Sequence, residues 1–181
     1  MSVICFDLDN TLVYSMKAYH LALNLSLEKF GLRKISKKMF GEYFGIHNRN
    51  LLKKIFPKLT KKEIDLILDL RKKYFLEKTV KYVKLVPGVR RTLGLLSKEN
   101  TLVLLSNSSH ERILFTLKKM KINPKLFKLI YGYDDVSAEK PSNKGVKKIE
   151  RVLKKKVDYL IGDTPWDIIT ANRSRVKSIA V

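Results

Sequence analysis

The sequence is poor in cysteine, in acidic residues and in long apolar runs. Its 181 residues include one cysteine, Cys5, which excludes an internal disulfide and a Cys-x-x-Cys zinc site. Cys5 lies in a short apolar run, so we predict a buried strand residue. No run reaches the roughly 18 apolar residues of a membrane span, which predicts no membrane partner. The first residues lack the basic start of a signal peptide, so we expect a cytoplasmic protein.

Basic residues are correspondingly abundant. The chain has 38 lysines and arginines against 17 acidic residues, a net charge of +21. A positive field attracts anions and speeds their arrival. Small phosphorylated metabolites and nucleic acids are therefore both candidate partners, and a merely solubilising surface is the alternative. The composition leaves the oligomeric state open.

Short apolar runs of strand length recur along the chain, at 3–6, 101–105, 129–131, 159–161 and 178–181. Apolar residues at helical spacing lie between them, for example Ile113, Leu117 and Met120. Alternation of strands and helices is typical of a parallel sheet. We therefore predict an α/β fold with a Rossmann-like parallel sheet and helices on both faces.

One long segment breaks this alternation. Between residues 15 and 84 no buried-strand pattern occurs, and the apolar residues follow helical spacing. Pro87-Gly88 is a turn signal at the end of the segment. We predict two domains: an α/β core formed by residues 1–13 and 86–181, and a small all-helical cap domain formed by residues 14–85.

Polar side chains follow the predicted strands, where open parallel sheets bind ligands. They are Asp7 and Asp9, Ser106 and Asn107, Lys140, and Asp163 and Asp167. A phosphoryl group needs an in-line nucleophile and neutralisation of its oxygens. An aspartate at a strand end, such as Asp7, can attack phosphorus. Asp9 is then the natural general acid, and afterwards the base that activates water.

The other residues at this edge suit the phosphate and a metal. Ser106 and the Asn107 amide can bind phosphate oxygens, and Lys140 can balance the charge of the nucleophile and of the phosphoryl group. Carboxylate oxygens are preferred ligands of Mg²⁺. We therefore expect a magnesium-dependent phosphohydrolase.

These motifs, in this order and spacing, resemble those of the haloacid dehalogenase superfamily: Asp7-Leu8-Asp9-Asn10-Thr11-Leu12, Ser106-Asn107, Lys140-Pro141, and Gly162-Asp163 with Asp167. The resemblance implies an aspartyl-phosphate intermediate. It also implies Mg²⁺ bound by the side chains of Asp7 and Asp163 and the carbonyl of Asp9, with Asp167 holding a metal-bound water or Lys140. Dehalogenation itself needs neither the metal nor Asp9, so these acids favour phosphoryl chemistry.

The helical insertion resembles the caps of phosphoglycolate phosphatases and β-phosphoglucomutases. Within Gly45-Ile46-His47-Asn48-Arg49, Arg49 falls where such relatives place a substrate-facing arginine, and a solvated basic residue is the alternative. His20 matches a cap-helix histidine near the leaving group in the mutases, and a histidine on a helix face is the alternative.

The function predicted from the sequence is hydrolysis of a small phosphomonoester, similar to phosphoglycolate phosphatase. A nucleic-acid end-processing phosphatase is one alternative, motivated by the net charge of +21. No stacking platform of aromatic residues supports it. A phosphosugar mutase is the other alternative, although the Gly162 to Asp167 motif looks more phosphatase-like.

Overall fold

The computed structural model describes residues 1–45 and 48–181. The strands in this part of the chain are β1 (Val3–Phe6), β2 (Val13–Tyr14), β3 (Lys84–Leu85), β4 (Thr101–Leu105), β5 (Phe127–Tyr131), β6 (Tyr159–Gly162) and β7 (Lys177–Ala180). The helices are α1 (Met16–Lys29), α2 (Lys37–Glu42), α3 (Asn48–Ile55), α4 (Lys61–Tyr74), α5 (Val89–Leu96), α6 (His110–Lys119), α7 (Lys144–Leu153) and α8 (Pro165–Ser174). No helix in the described residues is long and apolar enough to cross a membrane.

The main sheet has the order β5-β4-β1-β6-β7, and its paired strands are parallel. All four residues of β1 are buried, which a central strand covered on both faces requires. The carboxyl ends of β4, β1 and β6 therefore lie side by side at one edge. The predicted Rossmann-like α/β fold is confirmed.

Alternate residues of β1 belong to one core cluster. Val3 and Cys5 pack there with Val103 of β4, Ile149 of α7 and Ala171 of α8. Cys5 is fully buried, and burial raises the pKa of its thiol to about 12. The prediction of a buried strand cysteine is confirmed, and this thiol is unsuited to nucleophilic chemistry.

The chain forms two compact units, 1–14 with 85–181 and 15–84. The second unit is helical because its sequence marks helix ends rather than strands. Thr60 and Glu63 form a capping box at the start of α4. Gly31, with a φ of +65°, follows the end of α1, where the left-handed conformation favours glycine. Within this unit α1 packs along α4, and Tyr19 stacks on Phe75 at 4.6 Å between ring centroids.

Candidate active site

The candidate nucleophile continues directly from the central strand. The Asp7 N–H donates to the Ile161 carbonyl at 2.8 Å, so the backbone stays in register with β6. The Asp7 side chain is buried at the carboxyl edge of the sheet. Sheet pairing therefore holds the carboxylate in a defined position before any ligand binds.

Lys140 lies between two carboxylates. Its ammonium group donates to Asp7 Oδ1 at 2.6 Å and to Asp167 Oδ1 at 2.5 Å, and all three side chains are buried. Burial lowers the pKa of Lys140, but the two carboxylates together outweigh burial and hold the pKa above its ordinary value. Lys140 is therefore a permanent positive charge beside Asp7.

Burial works against ionisation of Asp7. It raises the pKa of this carboxyl group to about 7, although Lys140 opposes the shift. One lysine shared by two carboxylates leaves the cluster net negative, so an additional cation would stabilise the ionised form of Asp7. The charge balance of the site thus favours a cation.

Asp163 supplies the third carboxylate of this cluster. Oxygens of Asp7, Asp163 and Asp167 lie within 4.8 Å of one another. Asp163 Oδ1 is buried and has no hydrogen-bond partner among the described residues. Burial raises the pKa of Asp163 to about 6. A buried unpartnered oxygen within a cluster of hard carboxylate ligands fits Mg²⁺.

Asp167 is held by the start of α8 and by a close approach to Gly162. Its Oδ2 accepts bonds from the Thr164 N–H at 3.1 Å and the Thr164 hydroxyl at 2.6 Å. This capping box leaves Oδ1 for Lys140. A Cβ on Gly162 would lie 2.3 Å from Asp167 Cγ, so only glycine fits there.

Ser106 and Asn107 follow β4 and precede α6. The Asn107 side chain donates to the Lys140 carbonyl at 2.9 Å and accepts from the Lys140 N–H at 2.8 Å. It therefore fixes the backbone that presents Lys140. Ser106 is buried, and its hydroxyl accepts the Ser108 N–H at 3.2 Å. A phosphate role for both residues stays a prediction.

Two side chains that the sequence did not indicate bind Asp9. Ser108 donates its hydroxyl to Asp9 Oδ2 at 2.6 Å, and Arg112 donates to the same oxygen at 3.0 Å. One sequence feature could have indicated Arg112. It lies in the first turn of α6, where the helix dipole disfavours a cation unless an acid lies nearby.

The two cap residues proposed from the sequence have partners within the helical unit. Arg49 forms an ion pair with Asp65 of α4. His20 is buried, with Nε2 2.6 Å from the Ile35 carbonyl and 3.0 Å from Asn24 Nδ2. His20 also lines a cavity of about 140 Å³ with Lys17 and other residues of this unit. Substrate roles for Arg49 and His20 stay predictions, and Ile46 and His47 of the quoted loop lie outside the described residues.

Comparison with known proteins identifies the family. The model of the family described as haloacid dehalogenase-like hydrolase matches residues 4–181. The chain belongs to this family. A phosphoglycolate phosphatase of Aquifex aeolicus (strain VF5) is 33% identical over 98% of the chain and 83% of that protein.

Solved structures agree on the fold of this family member. A structure from Bacteroides fragilis described as a haloacid dehalogenase-like hydrolase has a TM-score of 0.90 and 23% identity, over 99% of this chain and 86% of that one. A haloacid dehalogenase-like family hydrolase from Streptococcus pneumoniae has a TM-score of 0.85 and 21% identity, over 99% and 84%. The family model and the relative from Aquifex aeolicus confirm two predictions, that the chain belongs to the haloacid dehalogenase superfamily and that it is a phosphatase of that superfamily.

The raised pKa values of this hydrolase predict a pH-dependent stability. Asp7 and Asp163 bind protons more tightly in the folded protein than at their ordinary pKa of 3.8. As pH rises from about 4 to 7, the unfolded chain loses these protons first, so folding becomes less favourable. In chelator, we expect the melting temperature to fall by on the order of 5 °C across this range. Mg²⁺ at pH 8 should restore it.

Two variants separate the contribution of the Asp7 and Asp163 carboxyl groups to this pH dependence from that of the other titrating residues. Asp7→Asn and Asp163→Asn should each flatten the dependence of melting temperature on pH. A slope that is identical in wild type and both variants would contradict the assignment.

A methyl group at residue 162 should disturb the site of this hydrolase. Because the new Cβ of Gly162→Ala meets Asp167, we expect a loss of about 1–3 kcal/mol of stability, typical of overpacking. Turnover should fall as well, since Asp167 binds Lys140. Thermal unfolding and a phosphate-release assay measure both effects.

Gly94→Ala in α5 is the matched control, because a Cβ there meets no atom within 4 Å. Alanine is the better helix former, so this variant should be neutral or slightly more stable. Equal behaviour of the two variants would argue against the close approach of Gly162 and Asp167.

Proposed function

We propose that this protein hydrolyses a small phosphomonoester through an aspartyl-phosphate on Asp7. The observation that supports the proposal most directly is the buried arrangement of Asp7, Lys140 and Asp167, with Asp163 beside them. Buried charges are costly, and a structural role would be served better by apolar packing. A cluster with this excess of negative charge is suited to bind and transform a ligand.

The first step is transfer of the phosphoryl group to Asp7. Lys140 occupies Asp7 Oδ1, so Oδ2 attacks phosphorus and the bond to the leaving oxygen breaks. The carboxyl group of Asp9 donates its proton to that oxygen, and the product alcohol departs. Lys140 stays charged throughout and stabilises the negative charge that develops on the transferring group.

The second step is hydrolysis of the aspartyl-phosphate. Asp9, now a carboxylate, takes a proton from water, and the water oxygen attacks phosphorus. The bond between phosphorus and Asp7 breaks, so inorganic phosphate and the Asp7 carboxylate are regenerated. Ser106 and the backbone of Asn107 bind phosphate oxygens in both steps.

The metal proposed for this site is Mg²⁺. The side chains of Asp7 and Asp163 and the carbonyl of Asp9 would hold it, and Asp167 would orient one of its waters or Lys140. When bound, the ion neutralises phosphate oxygens and orients the phosphoryl group.

We further propose a short phosphorylated acid as the substrate, with phosphoglycolate as the first candidate. The support is the 33% identical relative from Aquifex aeolicus, which is named a phosphoglycolate phosphatase. The net charge of +21 favours an anionic substrate of this kind. Arg49 and His20 of the helical unit are the proposed contacts to the part of the substrate beyond the phosphate.

The test is phosphate release from a panel of monoesters, with Mg²⁺ and with chelator. The panel contains phosphoglycolate, sugar phosphates, 4-nitrophenyl phosphate and 3′- and 5′-phosphorylated oligonucleotides. Magnesium-dependent turnover with the highest kcat/KM on phosphoglycolate supports the whole proposal. A higher kcat/KM on the oligonucleotides would show that nucleic-acid ends, rather than phosphoglycolate, are the substrate. Absence of phosphate release from every ester would refute the proposed hydrolysis.

A further inference from the structure

The carboxylate of Asp9 is held at one oxygen only. Ser108 and Arg112 both donate to Oδ2, at 2.6 Å and 3.0 Å. Asp9 Oδ1 is buried and accepts no hydrogen bond from the described residues. Because two donors are directed at Oδ2, Oδ1 is the oxygen whose lone pairs are left to carry a proton.

The ion pair between Asp9 and Arg112 is not expected to contribute much to the stability of the fold. Only 14% of the Asp9 side chain and 11% of the Arg112 side chain are exposed. Removing two charges from water costs about as much as their attraction returns, so a buried ion pair is weak support for a fold. Arg112 also opposes the dipole at the start of α6.

Ser108 is itself held in place within the core unit. The Ser108 carbonyl accepts the Tyr133 N–H at 3.0 Å, and the Ser108 N–H binds the Ser106 hydroxyl at 3.2 Å. The orientation of the Asp9 carboxylate is therefore coupled to the loop that follows β4. The carboxylate is thus preorganised by contacts within the core unit.

We infer that Ser108 and Arg112 are positioning residues that hold Asp9 Oδ2 and so assign proton transfer to Asp9 Oδ1. The inference rests on the proposed function, in which Asp9 is the general acid and then the base. In the first step the Oδ1–H bond breaks and the proton passes to the leaving oxygen. In the second step Oδ1 takes a proton from water.

Comparing two leaving groups separates a role in proton transfer from a purely structural role, because a structural defect would lower kcat/KM equally on both esters. An alkoxide needs a proton as it leaves, whereas 4-nitrophenolate is stable without one. For Arg112→Met and Ser108→Ala, we expect kcat/KM to fall about 10²-fold on phosphoglycolate, within the usual contribution of general acid catalysis. The loss on 4-nitrophenyl phosphate should be much smaller. Arg112→Lys and Ser108→Thr, which keep a donor, should recover part of the loss.

Arg91→Met is the matched control, because it removes the same charge from an exposed position of α5. Melting temperatures of all variants show whether each one folds. Equal losses on the two esters, or no loss in either variant, would overturn the inference while leaving the proposed reaction intact. A wild type that releases phosphate from neither ester would overturn the proposed function and this inference together.

Discussion

Asp7→Asn should lower phosphatase turnover by about 10⁴-fold or more, as expected when a covalent nucleophile is removed. An amide has no anionic oxygen to attack phosphorus, so the aspartyl-phosphate cannot form. The fold should persist, because the amide oxygen can still accept a bond from Lys140. The melting temperature at pH 8 should be unchanged or higher, since burial already disfavours the Asp7 carboxylate.

The measurement combines steady-state phosphate release with trapping of the intermediate. Wild-type protein quenched in acid during turnover of ³²P-labelled ester should retain label, and Asp7→Asn should retain none. Asp69→Asn makes the same chemical change at an exposed position of α4 and should behave as wild type. Turnover by Asp7→Asn within tenfold of wild type would exclude Asp7 as the nucleophile.

Lys140→Met should have the largest effect on stability. Methionine is similar in length but leaves Asp7 and Asp167 buried, close together and unpaired. Loss of one partner from a buried charge cluster costs about 3–5 kcal/mol. For a chain of this size, the melting temperature at pH 8 should fall by about 10 °C. Phosphate release should also be lost, because the charge beside the nucleophile is gone.

A double variant tests the electrostatic explanation. Adding Asp7→Asn to Lys140→Met removes one of the two unpaired charges, so it should recover part of the lost stability. Lys147→Met, at an exposed position of α7, is the control for loss of a lysine and should change the melting temperature little. A Lys140→Met protein as stable as wild type, with no recovery in the double variant, would show that the cluster carries little electrostatic strain.

Much of the fold could be predicted because its sequence patterns are local. The run at 3–6 is apolar throughout and ends at Asp7, and the structure has β1 at Val3–Phe6. Where the apolar pattern is weaker, the predicted strand boundaries are less accurate. We predicted a strand at 129–131, and β5 begins earlier, at Phe127, because pairing with β4 extends it.

The resemblance indicated Lys140 beside Asp7 and Asp167, but the partners of Asp9 could not be predicted, because they join residues far apart in the chain. The bond from Arg112 to Asp9 spans 103 residues, and the bond from Lys140 to Asp7 spans 133. The sequence places Asn107 beside Ser106 as a phosphate ligand. In the structure its side chain binds the backbone of Lys140, a contact that the sequence did not indicate, and its phosphate role stays a prediction.

The sequence by itself was sufficient to predict the family and a phosphatase, because four short motifs follow its apolar strands in order, and each is a local pattern: Asp7-Leu8-Asp9, Ser106-Asn107, Lys140-Pro141 and Gly162-Asp163. The tertiary structure decided which partner each charge has. Lys140 serves both Asp7 and Asp167, and Arg112 binds Asp9. Those choices depend on distances of about 3 Å between elements brought together only by the parallel sheet, and no periodicity along the chain encodes such distances.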